Sequence, residues 1–315
     1  MPLFTAAVAL VLSGGLATGA LAAEWQQQRV TSADGLPLQV VSVGSPGQPG
    51  ILFLHGFSQS LLSWEAQLND TELADSFHLV ALDLRGHGNS GKPWSKDAYE
   101  PEDWAADIDA VIKATGLQQP TVVAWSFGTL VAMDYLRSQG SGHIAGWVLV
   151  GSAGRLVTPP PAAASAPPAD RSELLQQMLS QDIRSNIVSA QAATRQLTLH
   201  AMPVTWTSAT AAAYMMTPPY AKNLIGAGRA SNADLVARLA NAPMLLMRGA
   251  SDPIVSAATL LELQKQLANS RIVTFADSGH APFAEHPAQF NRALADFVAS
   301  LKRQAIPDST RDIRE

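Results

Sequence analysis

The stretch Ala124-Trp125-Ser126-Phe127-Gly128, directly after the apolar run Pro120-Thr121-Val122-Val123, constrains this chain more than any other. The residues before the serine have the character of a short β-strand, and Leu130, Val131, Asp134 and Tyr135 after it are spaced for a helix. A serine in so sharp a strand-to-helix turn takes a strained, exposed conformation. Only small residues two positions before and two after it avoid a clash. The pattern therefore predicts a nucleophile elbow, with the Ser126 hydroxyl aimed out of the top of a sheet. Alanine stands at 124 where the pattern has glycine, and one added methyl is expected to leave the turn intact. A small-x-Ser-x-small pattern alone is common by chance, so its weight depends on partners elsewhere in the chain.

Downstream, an acid and a histidine stand in matching positions. Pro243 to Arg248 reads as a buried strand running into Gly249-Ala250-Ser251-Asp252-Pro253, and Ser270 to Phe275 as another ending in Asp277-Ser278-Gly279-His280. Ser126, Asp252 and His280 then each come after a strand, and all three fall on loops at the same sheet edge, where open α/β sheets place their sites. His280 is placed to take the Ser126 proton, and Asp252 to hold the imidazole tautomer and stabilise its cation. Asp277, three residues before His280, competes for the acid's role; its position is weaker because Asp252 is the one at the end of the preceding strand. Upstream, Ile51 to Leu54 leads into His55-Gly56-Phe57. A backbone N–H there, paired with that of Phe127, is suited to bind a developing oxyanion.

With Asp83-Leu84-Arg85-Gly86-His87-Gly88-Asn89-Ser90 as a fourth ordered motif, the chain resembles the α/β-hydrolase superfamily from about Leu38 to about Leu301. Within it, the chain is similar to capped bacterial esterases and cofactor-free haloperoxidases. The resemblance implies a mostly parallel eight-stranded sheet with helices on both faces and a helical cap inserted after the sixth strand. It also implies Ser126 as nucleophile, Asp252 as acid, His280 as base, the N–H groups of Phe57 and Phe127 as oxyanion hole, and no cofactor or metal. Dehalogenases and epoxide hydrolases on this fold carry aspartate at the elbow, where this chain has serine.

Composition is compatible with that reading. Of 315 residues, 47% are hydrophobic and only 15% charged, enough for a large core. A net charge of −5 without a basic stretch argues against nucleic-acid binding. The absence of cysteine excludes thiol nucleophiles, thiolate metal sites and disulfides. No H-E-x-x-H or other compact ligand set is present, so Glu285 between His280 and His286 carries no metal motif. Residues 1–22 read as a signal peptide: Leu3 to Ala23 is uncharged, and Ala20-Leu21-Ala22 fits a small-x-small cleavage site. The n-region lacks lysine and arginine, and about 20 apolar residues are long enough to span a bilayer, so an uncleaved anchor is the competing reading. Its Gly, Ala, Ser and Thr content makes it a poor permanent span. Export to the periplasm or beyond is expected, with no stable membrane span after processing.

The expected organisation is a first core segment over 23–152, a helical cap over 153–241, a second core segment over 242–301 and a charged, disordered tail over 302–315. Trp25 to Thr31 and Leu36 to Val43 flank a turn at Ala33-Asp34-Gly35; Phe77 to Leu84 and Ala145 to Val150 read as strands; Pro101 opens a helix that Gly116 closes. The Pro/Ala-rich stretch from Val157 to Ala169 reads as a hinge, and Leu175, Leu179, Ile183 and Ile187 as one helical stripe. Trp125 and the cap residues Met202, Trp206, Tyr214, Met215 and Tyr220 are expected to line an apolar substrate pocket, Trp125 by its place in the motif. Packing of the cap onto the core explains each of the other five equally well. His55 and His87 are expected to bond the backbone, Asp83 to fix the Arg85 loop, and His78, His143 and His200 to be surface or packing residues.

Together these readings point to a serine-triad hydrolase cleaving a small to medium hydrophobic ester through an acyl-enzyme. Two other readings use the same residues: perhydrolase or haloperoxidase-type chemistry, with peroxide in place of water, and a ligand-binding protein with little turnover.

Overall fold

The computed structural model describes residues 24–158, 169–226 and 229–305. The expected signal peptide at 1–22, most of the Pro/Ala-rich hinge and residues 306–315 lie outside the described residues. The strands are β1 (Gln26–Thr31), β2 (Pro37–Val43), β3 (Gly50–Leu54), β4 (His78–Leu82), β5 (Thr121–Trp125), β6 (Gly146–Val150), β7 (Met244–Gly249) and β8 (Ser270–Phe275). They form one eight-stranded sheet in the order β1-β2-β4-β3-β5-β6-β7-β8. β1 pairs antiparallel with β2, and β2 with β4; from β4 to β8 the sheet is parallel.

Why these runs form central strands is explained by their two faces. In β3, Leu52 and Leu54 pack into the core on one side of the sheet, and Ile51 and Phe53 into the core on the other. A parallel strand covered on both faces needs apolar residues at every position, and β3, β4 and β5 are buried throughout. One layer is formed by α1 (Pro101–Ala114), α2 (Gly128–Gln139) and, further along the sheet, the helix Ala257–Gln266. Trp104, Ile108 and Val111 of α1 and Val131, Tyr135 and Leu136 of α2 fill that layer's core. The opposite layer holds the helix Pro287–Ala305, whose Phe290, Leu294, Phe297 and Val298 recur at helical spacing. That helix continues past Leu301, so residues 302–305, expected in the tail, are helical.

Between β6 and β7 the chain leaves the sheet for α3 (Ala169–Leu179), α4 (Ile183–Gln196), α5 (Val204–Met216) and α6 (Pro219–Gly226). Here the single stripe expected over Leu175 to Ile187 is corrected to two helices. Asp182 ends the run by accepting the Ser185 N–H at 3.0 Å, an N-cap that starts α4 afresh. Ile183 and Ile187 face outward, while α4 buries Asn186, Ser189, Ala190 and Thr194. These small residues let α4 lie close to its neighbours, and Ser189 and Thr194 satisfy their hydroxyls on the carbonyls of Asn186 and Ala190. The two helices that complete the core are α7 (Ala257–Gln266) and α8 (Pro287–Ala305). Among the described residues no helix is long and apolar enough to cross a membrane.

Candidate active site

Sheet order dictates where the site forms. β3 lies between β4 and β5, so the chain direction across the sheet reverses there, and the loops after β3 and β5 open beside each other. Leu54 of β3 is in register with Ala124 of β5, which brings Gly56 and Phe57 alongside Ser126 and Phe127. Ser126 has φ +51, left-handed for a residue with a side chain. Such backbone costs on the order of 1–3 kcal/mol and persists only where its surroundings fix it. They do so here. The Ser126 N–H donates to Val150 O at 2.9 Å, and its carbonyl accepts from the Thr129 N–H at 3.1 Å and the Thr129 hydroxyl at 2.6 Å. Gly128 is required by a close approach: a Cβ there would lie 2.6 Å from Leu54 O and 2.7 Å from His55 O. Ala124 is fully buried and accommodated without glycine.

The acid and the histidine converge from β7 and β8. His280 Nδ1 lies 3.0 Å and 3.1 Å from the two carboxylate oxygens of Asp252. A carboxylate only accepts, so Nδ1 is the donor of this pair, the tautomer that in a neutral ring places the lone pair on Nε2. Asp252 is itself held by the N–H groups of Ile254 (2.7 Å) and Val255 (3.2 Å). The His280 N–H donates to Leu197 O, and its carbonyl accepts the Trp125 indole N–H, both at 2.9 Å. Gly151, with φ +60, makes room for the ring, since a Cβ there would lie 2.8 Å from it. Asp277 is exposed and pairs with His200 at 2.8 Å instead. Between the two candidate acids, the geometry favours Asp252.

Ser126 and His280 face one cavity of about 670 Å³ together with Gly56, Phe57, Gln59 and Trp125. No acceptor among the described residues is hydrogen-bonded to the N–H of Phe57 or of Phe127. The rest of the wall comes from Leu174, Leu175 and Met178 of α3, Ala193 and Gln196 of α4, Leu197, Tyr214 of α5, and Pro253 and Ile254 beside Asp252. This corrects the expected lining. Trp125 and Tyr214 are part of it, but Met202, Trp206, Met215 and Tyr220 are not. Tyr220 stacks on Trp94 with ring centroids 3.5 Å apart and donates to Lys92 O at 2.9 Å, which pins α6 to the core away from the cavity. Of the α3 wall, Leu175 belongs to the helical stripe legible in the sequence, while Leu174 and Met178 carry only their spacing of one helical turn, and no aromatic or motif residue marks them.

The remaining polar residues support the loops. His55 donates from Nδ1 to Gly56 O at 2.8 Å and accepts the Leu84 N–H on Nε2 at 3.0 Å, and burial pulls its pKa down to about 4. His87 donates from Nδ1 to Arg85 O at 2.9 Å, and burial holds it neutral. Asp83 accepts the N–H groups of Leu61 (2.8 Å) and Asn89 (2.7 Å), holding the loop closed, while the Arg85 guanidinium pairs with both oxygens of Asp107 at 2.6 and 2.7 Å. His78 is buried in β4 and His143 is exposed. No group of three or more His, Asp or Glu side chains among the described residues is arranged to hold a metal ion.

Two features had no counterpart in the sequence reading. Glu285 accepts four hydrogen bonds, from the N–H groups of Leu199 and His200 and from the Ser278 hydroxyl and the Gly279 N–H. Lys222 of α6 is fully buried with no hydrogen-bond partner for its ammonium among the described residues; Nζ lies 4.0 Å from the centre of the Tyr214 ring, and burial lowers its pKa to about 8.

Comparison with known proteins agrees with this architecture. Residues 49–287 match the pattern of a family described as alpha/beta hydrolase fold. A crystal structure of a Burkholderia cenocepacia protein, provisionally assigned as an aryl esterase, superposes with a TM-score of 0.79 at 32% identity, over 88% of this chain and 100% of that one. The esterase RhEst1 from Rhodococcus sp. ECU1013 gives a TM-score of 0.73 at 27% identity, over 87% and 99% of the two chains. Epoxide hydrolase 1 of Caenorhabditis elegans is 39% identical over 98 residues, which is 31% of this chain and 24% of that protein. The match thus spans about a quarter of that relative's length.

Proposed function

We propose that this chain, which belongs to the alpha/beta hydrolase fold family, cleaves esters of small to medium hydrophobic acids through an acyl-enzyme on Ser126. The observation that carries the reading is one cavity shared by a serine on a left-handed turn and a histidine whose Nδ1 is hydrogen-bonded to a buried carboxylate. In this reading the Ser126 oxygen attacks the ester carbonyl carbon and its proton passes to Nε2 of His280. Asp252 stabilises the imidazolium that results. The carbonyl oxygen takes the negative charge and accepts from the N–H groups of Phe57 and Phe127. One such donor contributes about 10²–10³ in kcat. Collapse breaks the bond to the alcohol oxygen, which leaves with the proton from His280. A water then attacks the acyl-enzyme with His280 as base and releases the acid.

The cavity suits that substrate class. Its walls are mainly Leu, Met, Phe, Trp and Tyr, with the amides of Gln59 and Gln196 as polar exceptions. α3 to α6 act as the cap in this proposal, and the likeness to a protein assigned as an aryl esterase supports an aromatic alcohol portion. The stretch shared with an epoxide hydrolase does not carry that activity over, because opening an epoxide to an alkyl ester calls for a carboxylate at the elbow, and residue 126 is serine. Export by way of residues 1–22 belongs to the same proposal.

A p-nitrophenyl ester series of increasing acyl length, run beside Ser126→Ala, tests the reading. The expected outcome is turnover that peaks at short to medium chains and vanishes in the variant. Equal rates in the two proteins would refute it.

A further inference from the structure

The acyl-enzyme mechanism leaves Glu285 unused, yet its carboxylate joins the two parts of the molecule that the mechanism needs in register. Glu285 ends a one-turn helix, Pro282–Glu285, just after His280. Its Oε1 accepts the N–H groups of Leu199 (2.6 Å) and His200 (3.2 Å), in the connection between α4 and α5. Its Oε2 accepts the Ser278 hydroxyl (2.8 Å) and the Gly279 N–H (2.7 Å), in the loop that carries His280. The two backbones touch at this point. The His280 N–H donates to Leu197 O at 2.9 Å, and a Cβ at Gly279 would lie 2.8 Å from Leu199 N. Leu197, which makes that contact, and Gln196 before it form part of the cavity wall.

We propose that Glu285 is a positioning residue that fixes the His280 loop against the α4–α5 connection, so that one carboxylate sets both the proton-transfer geometry and one wall of the substrate cavity. The proposal rests on the reading of His280 as the base. Chemistry explains why a carboxylate stands there. Four donors converge from two sides, and only a group with acceptors at both ends satisfies them all. Glutamine has one acceptor end, so it satisfies one side and presents N–H to N–H on the other; aspartate is a methylene too short to keep both. Leu199 and His200 are exposed at the junction while Ser278 and Gly279 are buried, so water is available to solvate the Leu199 and His200 N–H groups when the glutamine carbonyl stays on the Ser278 side, and E285Q is expected to fold. What it loses is precision. A displacement of about 1 Å at a reacting group is enough to cost 10²-fold in rate.

The experiment compares wild type, E285Q and His200→Ala, the last removing only the exposed His200–Asp277 pair at the same junction. Active sites are counted with a fluorophosphonate, and p-nitrophenyl ester turnover is expressed per titrated site. For E285Q the expected result is the same titration endpoint, kcat per site lower by tenfold or more on every ester, and a raised KM on the longer ones. His200→Ala is expected to stay within twofold of wild type. A lower titratable fraction with unchanged turnover per site would mean that Glu285 serves folding alone, and would overturn the proposal, as would E285Q turnover within twofold of wild type. The ¹⁵N resonances of the His280 ring, monitored in the same samples, give a readout independent of substrate. They are expected to shift or broaden in E285Q, and unchanged resonances would count against the tether. A wild-type protein that neither titrates nor turns over would refute the ester-hydrolase reading, while the ring resonances would still decide for or against the tether.

Discussion

Replacing Lys222 by methionine should stabilise this protein, and should do so only on the acid side of its range. Lys222 is a fully buried residue whose ammonium has no hydrogen-bond partner among the described residues. Burial drives its pKa from the ordinary 10.5 to about 8, a drop worth roughly 3 kcal/mol at 1.36 kcal/mol per tenfold change. The sign comes from proton counting. Below pH 8 the lysine is charged in both the folded and the unfolded chain, and the full penalty falls on the folded one. Between pH 8 and 10.5 the unfolded chain binds more protons, so stability rises with pH until the penalty is gone. The Tyr214 face 4.0 Å from Nζ returns part of the cost, up to about 2 kcal/mol for a desolvated cation over a ring. Methionine keeps the unbranched length and needs no polar partner. The net expectation is a gain of about 1–3 kcal/mol at pH 6.5, shrinking toward zero as pH passes from 8 to 10. Urea unfolding of the two proteins across that range measures it. A variant less stable than wild type at pH 6.5, or a difference that does not change with pH, would refute the reasoning and mean that Nζ is solvated or paired.

Two further substitutions separate the parts of the site. Asp252→Asn should preserve the fold but lower kcat by on the order of 10³–10⁴, because the amide no longer holds the imidazole tautomer or stabilises its cation; Asp277→Asn, at the exposed pair with His200, should leave kcat within twofold. Steady-state kinetics on one ester decides both. Gly128→Ala places a methyl within 2.7 Å of two backbone carbonyls that cannot rotate away. It should cost roughly 1–3 kcal/mol of stability, as overpacking does, and lower turnover by separating the N–H groups of Phe57 and Phe127, which denaturant melts and kinetics read separately.

The core of the site was legible because its constraints are local. Ser126, Asp252 and His280 each sit a few residues beyond an apolar run, and a parallel sheet brings the ends of such runs to one edge whatever lies between them. The same holds for Gly128, whose smallness is needed by a contact that the strand-turn-helix pattern implies. The insertion was read less well, for a physical reason. Which face of a helix turns inward decides what it contributes, and α4 buries Asn186, Ser189, Ala190 and Thr194 and lends Ala193 and Gln196 to the cavity while Ile183 and Ile187 face out. Hydrophobic periodicity therefore pointed to the wrong side, and a helix break set by one Asp182 cap was hidden inside an unbroken apolar stripe. Tyr214 reaches the cavity and Tyr220, six residues on and in the next helix, does not. Glu285 and Lys222 lay beyond sequence reasoning altogether, since what distinguishes them is which backbone amides, or none, meet their charged ends.

The measurement that bears most directly on the proposed chemistry is the site and stoichiometry of covalent modification by a fluorophosphonate, read by intact mass and peptide mapping. The predicted result is one adduct per chain, on Ser126, absent from Ser126→Ala and slowed by several orders of magnitude in His280→Ala. An adduct on another residue, or labelling of Ser126 that does not depend on His280, would contradict the assignment of this serine and histidine as nucleophile and base.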